Sequence, residues 1–261
     1  MTTLATPPTT RIEVHCAAKI ARIQLVHPPV NVIDLQMARE LQAALTEIES
    51  RTDVSAVVFA GHARAFSAGV EIKAHLPEHI DEMLPAFHGV IRAIVASRKV
   101  TIAVVDGACL GGGAELASVC DLVYTADNAS WGFPEIKLGC YPPVAAVALA
   151  MLVGQKRASE LILTGALFSG LEAASMGLAT RSVASEKLES LVDRTLSDLV
   201  ERSPVALAHA KKALYAWDAM HFDKGLMRAE KIYLEELIST QDAREGIMAF
   251  LDKRPPKWTG K

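Results

Sequence analysis

The sequence predicts an α/β core that carries an all-helical C-terminal part. Strand-like apolar runs alternate with helical periodicity as far as about residue 185, the pattern of an α/β domain. Beyond that point only helical periodicity continues. The chain has 261 residues, 51% of them hydrophobic, enough to bury a sizeable core and too apolar for a disordered chain.

Taken in order, residues 1–10 are rich in Thr and Pro and read as a flexible tail. Residues 20–26 alternate β-branched and polar side chains and form the first strand signal. Residues 37–49 place Leu41, Leu45 and Ile48 on one helix face. An apolar run at 56–60 ends at Gly61 and reads as a buried strand. Residues 83–97 group Phe87, Ile91 and Ile94 at helical spacing, and further strand runs follow at 100–105 and 122–125. The helical part begins with 188–200. Ser203 and Pro204 then read as an N-cap followed by proline at the first helical position. Segments 223–238 and 242–251 complete it, and the Arg254-Pro255-Pro256-Lys257 tail stops the last helix. The organisation is thus a tail at 1–10, an α/β core at 11–190 and a helical region at 191–261.

Composition excludes several classes. The formal net charge of −3 supplies no positive field for nucleic acid. The four cysteines, Cys16, Cys109, Cys120 and Cys140, form no CxxC pair, so reduced thiols and no metal site are expected. The apolar runs are too short or too broken by Gly and Pro to span a bilayer. No charged segment followed by an apolar stretch stands at the start, so a cytoplasmic location is expected.

Three stretches carry chemistry. Asp106-Gly107-Ala108-Cys109-Leu110-Gly111-Gly112-Gly113-Ala114-Glu115-Leu116 follows a buried strand and opens a helix. Consecutive glycines let backbone approach a ligand at a helix N-terminus, where free N–H groups favour developing negative charge. Glu115 falls in the first turn beside that space. Taken alone, the stretch is equally a tight strand–helix turn with Glu115 facing the dipole. It is not a dinucleotide fingerprint, because the G-x-G-x-x-G spacing is absent. Ala65-Phe66-Ser67-Ala68-Gly69-Val70-Glu71-Ile72 is a second loop of small residues, in isolation a plain turn. In Trp131-Gly132-Phe133-Pro134-Glu135-Ile136-Lys137-Leu138-Gly139, apolar neighbours around Glu135 would raise its pKa towards proton transfer. In isolation it is a surface loop glutamate.

Together, in order and spacing, these three stretches resemble the signature regions of the crotonase (enoyl-CoA hydratase) family, over nearly the whole chain. The twenty positions between Glu115 and Glu135 match as well. The resemblance implies the crotonase (ClpP-like) superhelix of ββα turns with a C-terminal helical oligomerisation region. It implies a hydro-lyase acting on an acyl-CoA substrate, with coenzyme A as part of the substrate and no permanently bound cofactor. Glu115 and Glu135 would be its acid–base pair, the first activating water and the second handling the α-proton. The amides of Ala68 and Gly112 would form the oxyanion hole. Val30, Asn31, Ala68, Gly69, Val70, Glu71 and Ile72 would contact coenzyme A, with Lys253 near its phosphates. Family members form trimers, often paired into hexamers. That places the face of 226–237, with Met227, Ile232 and Leu234, between subunits.

One departure stands out. The family's Gly-rich turn after the second glutamate reads Gly139-Cys140-Tyr141-Pro142-Pro143-Val144 here. Pro143 occupies a position where family members use a backbone N–H to hold water, and proline has none. A narrower resemblance, to the cyclohexa-1,5-diene-carbonyl-CoA hydratases, fits this change. It rests on residues 71–90 with Ala74-His75-Leu76-Pro77, on the proline-containing loop, and on Tyr233-Leu234-Glu235-Glu236-Leu237. Those enzymes add water across a conjugated diene. An ordinary short-chain enoyl-CoA hydratase, a Δ-isomerase and a non-catalytic acyl-CoA-binding member are the alternatives.

Overall fold

A computed structural model describes residues 10–61, 64–215 and 218–260. All but the last residue of the 1–10 tail lies outside these. A six-stranded sheet runs in the order β1-β2-β3-β5-β7-β10 and a smaller sheet in the order β4-β6-β8-β9. In the large sheet β1 (Ile12–Ala17) and β2 (Ile20–Leu25) pair antiparallel. The strands β3 (Ala56–Ala60), β5 (Val100–Val105), β7 (Leu122–Ala126) and β10 (Arg181–Val183) continue it in parallel. The small sheet is built of three-residue strands, β4 (Ala65–Ser67), β6 (Ala108–Leu110), β8 (Ser130–Gly132) and β9 (Leu167–Ser169).

The chain repeats one step: a strand in the large sheet, a short strand in the small sheet, then a helix. β3, β4 and α2 (Ile80–Ala96) form one turn, and β5, β6 and α3 (Gly112–Ser118) the next. β7 and β8 lead through a 3-10 turn at Pro134–Leu138 into α4 (Pro143–Val153), which α5 (Gln155–Thr164) and, after β9, α6 (Gly170–Ser175) follow. This is the expected ββα spiral. Every residue of β5 is buried, as a parallel strand covered on both faces requires. The expected 37–49 helix is α1 (Leu35–Ser50), capped by Asp34, whose carboxylate accepts from the Met37 amide at 2.8 Å. Leu41, Leu45 and Ile48 are buried as read from the periodicity. The short strands are absent from the sequence reading because three residues give too short a window for a period of two.

The helical part starts at α7 (Ser185–Val200) and continues through α8 (Pro204–Leu214), α9 (Asp218–Lys231), a π-helical turn at Ile232–Leu237 and α10 (Gln241–Leu251). Ser203 caps α8 as expected. These helices return to the core: the buried Lys211 ammonium pairs with Asp121 at 2.8 Å, and α9 packs on α2 and α4. The 226–237 face is therefore only partly available to another subunit. Leu226 and Tyr233 are buried within the chain, whereas Met227 and Ile232 are exposed. No helix among the described residues is long and apolar enough to cross a membrane.

Candidate active site

The loops after β4, β6 and β8 and the start of α4 meet at one cleft of about 840 Å³. Glycine makes the approach possible. Gly111, at φ +50°, turns the chain from β6 into α3, and a Cβ on Gly113 would stand 2.6 Å from the Ser67 Cβ. α3 is thereby pressed against the β4 loop, and Glu115 in its first turn enters the cleft.

Glu115 is 3% exposed. Its Oε1 accepts from the Val144 amide at 2.9 Å and the Ala145 amide at 3.0 Å, so the N-terminus of α4 holds it. Burial raises its pKa, and the two amides that it accepts from oppose that rise. Both amides take Oε1, and Oε2 is not part of this anchoring.

Glu135 sits in the first turn of the Pro134–Leu138 element, and its Oε2 is buried without a hydrogen-bond partner among the described residues. It is not the surface loop glutamate of the isolated reading. Burial raises its pKa well above the ordinary carboxylate value, and the neighbouring Glu115 charge raises it further. The two acids thus differ in environment: one is anchored by amides, the other is pushed towards its protonated form by burial and a like charge. Such a pair can hold a base and an acid in one site at neutral pH.

The backbone donors require a correction. The Ala68 amide, expected in the oxyanion hole, donates to the Val30 carbonyl at 2.8 Å, and an engaged N–H is not available to a substrate oxygen. Its successor but one is available. Ile33 donates to the Gly69 carbonyl and Glu71 donates to the Ile33 carbonyl, which turns the intervening Val70 amide away from that bridge. No protein acceptor within the described residues takes the Val70 or Gly112 N–H. The Gly112 amide lies at the free N-terminus of α3, and its nitrogen would be 3.4 Å from a Cβ placed on Gly69.

Comparison with known proteins fits this geometry. A family model described as enoyl-CoA hydratase/isomerase matches residues 15–261. The chain belongs to the enoyl-CoA hydratase/isomerase family. It is 32% identical to the cyclohexa-1,5-dienecarbonyl-CoA hydratase of Thauera aromatica over 93% of both chains. It is 34% identical to a probable enoyl-CoA hydratase of Mycobacterium bovis, over 88% of this chain and 90% of that one. The crystal structure of an enoyl-CoA hydratase from Mycobacterium avium subsp. paratuberculosis K-10 superposes with a TM-score of 0.88 at 27% identity, covering 97% of this chain and 100% of that one. The fold is the crotonase fold, and the chain is an enzyme of the enoyl-CoA hydratase type acting on acyl-CoA thioesters.

Most of the other expected residues of this family member line the cleft: Val30, Ala68, Gly69, Val70, Glu71, Ile72 and Pro143. Asn31 does not. It is 1% exposed, and its side chain accepts from the His27 amide and donates to the Ala65 carbonyl, clamping the loop from inside. Lys253 is also outside the lining, where Lys73, Lys137 and Arg254 stand instead. His75 lines the cleft as well. Pro143 is the first residue of α4, so its missing N–H falls where the next two amides are already taken by Glu115.

Two contributions were not read from the sequence. The C-terminal helices build the cleft of their own chain. α10 lies against the Glu135 turn so closely that a Cβ on Gly246 would stand 2.1 Å from the Leu138 carbonyl oxygen. Phe250 and Tyr233 reach the cleft wall from this region. The second is His88 of α2, which is fully buried and lines the cleft. Its signal in the sequence was a histidine on the apolar face of a helix, four positions before Arg92.

Proposed function

We propose that this enzyme adds water reversibly to α,β-unsaturated acyl-CoA thioesters and that a cyclic dienoyl-CoA is its preferred substrate. The thioester oxygen accepts hydrogen bonds from the Val70 and Gly112 amides. Water gives a proton to Glu115 as its oxygen bonds to an electron-poor carbon of the conjugated system. The π electrons move onto the thioester oxygen as an enolate, which the two amides stabilise. The enolate collapses and takes the proton of Glu135. One proton enters at Glu115 and one leaves from Glu135, so the pair resets by exchange with solvent. The contrast between an amide-anchored Glu115 and a neutral, unpartnered Glu135 carries this reading.

The preference for a diene rests on the start of α4. Pro143 offers no N–H, and the Val144 and Ala145 amides serve Glu115. No amide of that turn remains to place water over the β-carbon of a simple enoyl group, whereas a conjugated diene presents a further electrophilic carbon. The identities of 32% and 34% to a dienoyl and an ordinary enoyl hydratase support either substrate equally. Turnover on crotonyl-CoA against cyclohexa-1,5-diene-carbonyl-CoA, followed by mass, is the test. The diene is expected to win, and a strong preference for crotonyl-CoA would return the chain to the ordinary hydratases.

Coenzyme A enters as part of the substrate, along the Val70–Ile72 side of the cleft. The cytoplasm is the location this reading favours. A trimer or paired trimer is supported by exposed apolar side chains along α4 to β9, among them Met151, Leu163 and Leu167.

A further inference from the structure

His88 is 0% exposed, and one edge of its ring is spoken for. Nδ1 stands 2.7 Å from Oε1 of Glu230 on α9. Glu230 is in turn gripped by the Arg92 guanidinium through both oxygens at 2.8 Å. A carboxylate only accepts, so Nδ1 carries the hydrogen, and in the neutral ring Nε2 is left with a bare lone pair. Nε2 is buried and has no hydrogen-bond partner among the described residues. A buried polar atom without a partner is costly and marks a place where water or a ligand belongs. The ring lines the same cleft as Glu115.

The groups around the ring explain why it is held so firmly. Glu230 and Arg92 hold the Nδ1 edge, with Asp223 on the far side of Arg92 at 3.2 Å. Phe87 packs at a ring-centroid distance of 5.9 Å. Glu115 is the charged group on the cleft side. The arrangement resembles neither a surface histidine nor a satisfied core histidine, because one nitrogen is fixed by two charged residues while the other is left bare. Meanwhile the turn that opens α4 has no amide to spare.

We infer that the bare Nε2 of His88 holds the attacking water together with Glu115, in place of the backbone N–H that Pro143 lacks. The water gives one O–H to the Glu115 carboxylate and the other to Nε2. Both of its protons are then occupied, and an oxygen lone pair is turned towards the thioester's conjugated system. Proton transfer still goes to Glu115, so the balance of the reaction is unchanged. His88 acts by placing the water, and Glu230 with Arg92 fixes the tautomer and orientation that make Nε2 an acceptor. This inference rests on the hydration reading and adds to it the group that holds the nucleophile.

The test compares His88→Leu, which removes the acceptor, with His88→Gln, which keeps one. Hydration by His88→Leu is expected to fall about 10²-fold in kcat, the usual cost of a misplaced reactant, with KM little changed. His88→Gln should recover part of that loss. Exchange of the α-hydrogen of a saturated acyl-CoA with deuterium needs Glu135 and the amides but not the attacking water, so it should stay at the wild-type rate in both variants. Full hydration activity in His88→Leu, or an equal fall in hydration and exchange, would overturn the assignment. ¹⁵N NMR of histidine-labelled wild-type enzyme reads the ring independently of turnover. A protonated Nδ1, a bare Nε2 and a shift of the Nε2 signal on binding a saturated acyl-CoA are expected. A protonated Nε2 in the neutral ring, or a signal indifferent to ligand, counts against the role. If wild-type enzyme hydrates no member of an enoyl- and dienoyl-CoA panel, the hydration reading fails, and the NMR result still decides where Nε2 points.

Discussion

A methyl group on Gly111 would stand 2.7 Å from Oε1 of Glu135. The position also has φ +50° and ψ −128°, a region that side chains other than hydrogen occupy only under strain. Gly111→Ala is therefore expected to lose stability by about 1–3 kcal/mol, the typical cost of such a backbone. By moving Glu135 it should also lower kcat about 10²-fold. Thermal melting and steady-state kinetics measure the two effects. Unchanged turnover would mean that the Glu135 position seen here is not the working one.

Removing either acid should damage chemistry more than binding. Glu115→Gln and Glu135→Gln keep size and polarity while ending proton transfer, so kcat is expected to drop by about 10²–10⁴-fold. Affinity for a saturated acyl-CoA should barely move. Near-normal turnover in both variants would reject the mechanism.

Burial and the Glu115 charge keep Glu135 protonated in the folded chain well above 4.5, the reference value for an unfolded glutamate. The stability contributed by this neutral carboxyl is complete below that value and is lost as pH rises through the folded one, because the unfolded chain releases its proton first. Glu135→Gln carries no such cost. Its melting temperature should gain on that of the wild type between about pH 5 and pH 8. A difference that does not vary with pH would show that Glu135 is ionised in the folded protein.

Pro143→Gly restores an N–H at the first position of α4 and leaves the Val144 and Ala145 bonds to Glu115 in place. Relative turnover should shift towards crotonyl-CoA, at a stability cost of about 0.4–1 kcal/mol from the greater freedom of the unfolded chain. Substrate preference identical to that of the wild type would mean that the proline only shapes the loop.

Free coenzyme A at millimolar concentration should raise the melting temperature by mass action on the folded state. Lys73 and Lys137, which line the cleft, are candidates for its phosphates. No shift would place the nucleotide portion elsewhere.

Much of this was legible in the sequence. Burial of the 56–60 and 100–105 strands, the amphipathic α1 and the Ser203 cap are local matters of period and propensity, and they stand where the residues predicted. So does Glu115 in the first turn of a helix, because the glycines before it settle that geometry within a few residues. What the sequence did not settle depends on where distant groups point. The Ala68 amide looked free, but Val30, far along the chain, takes it, and the alternation of backbone N–H directions hands the open position to Val70. The tightness of the Glu115 hold depends on α4 presenting two amides 29 and 30 residues away. His88 reads as one more core residue of α2 until Glu230, 142 positions later, fixes one of its nitrogens and leaves the other bare. Periodicity records which face of an element is buried, whereas hydrogen-bond direction and the field at a carboxylate are set by whatever the fold brings beside it.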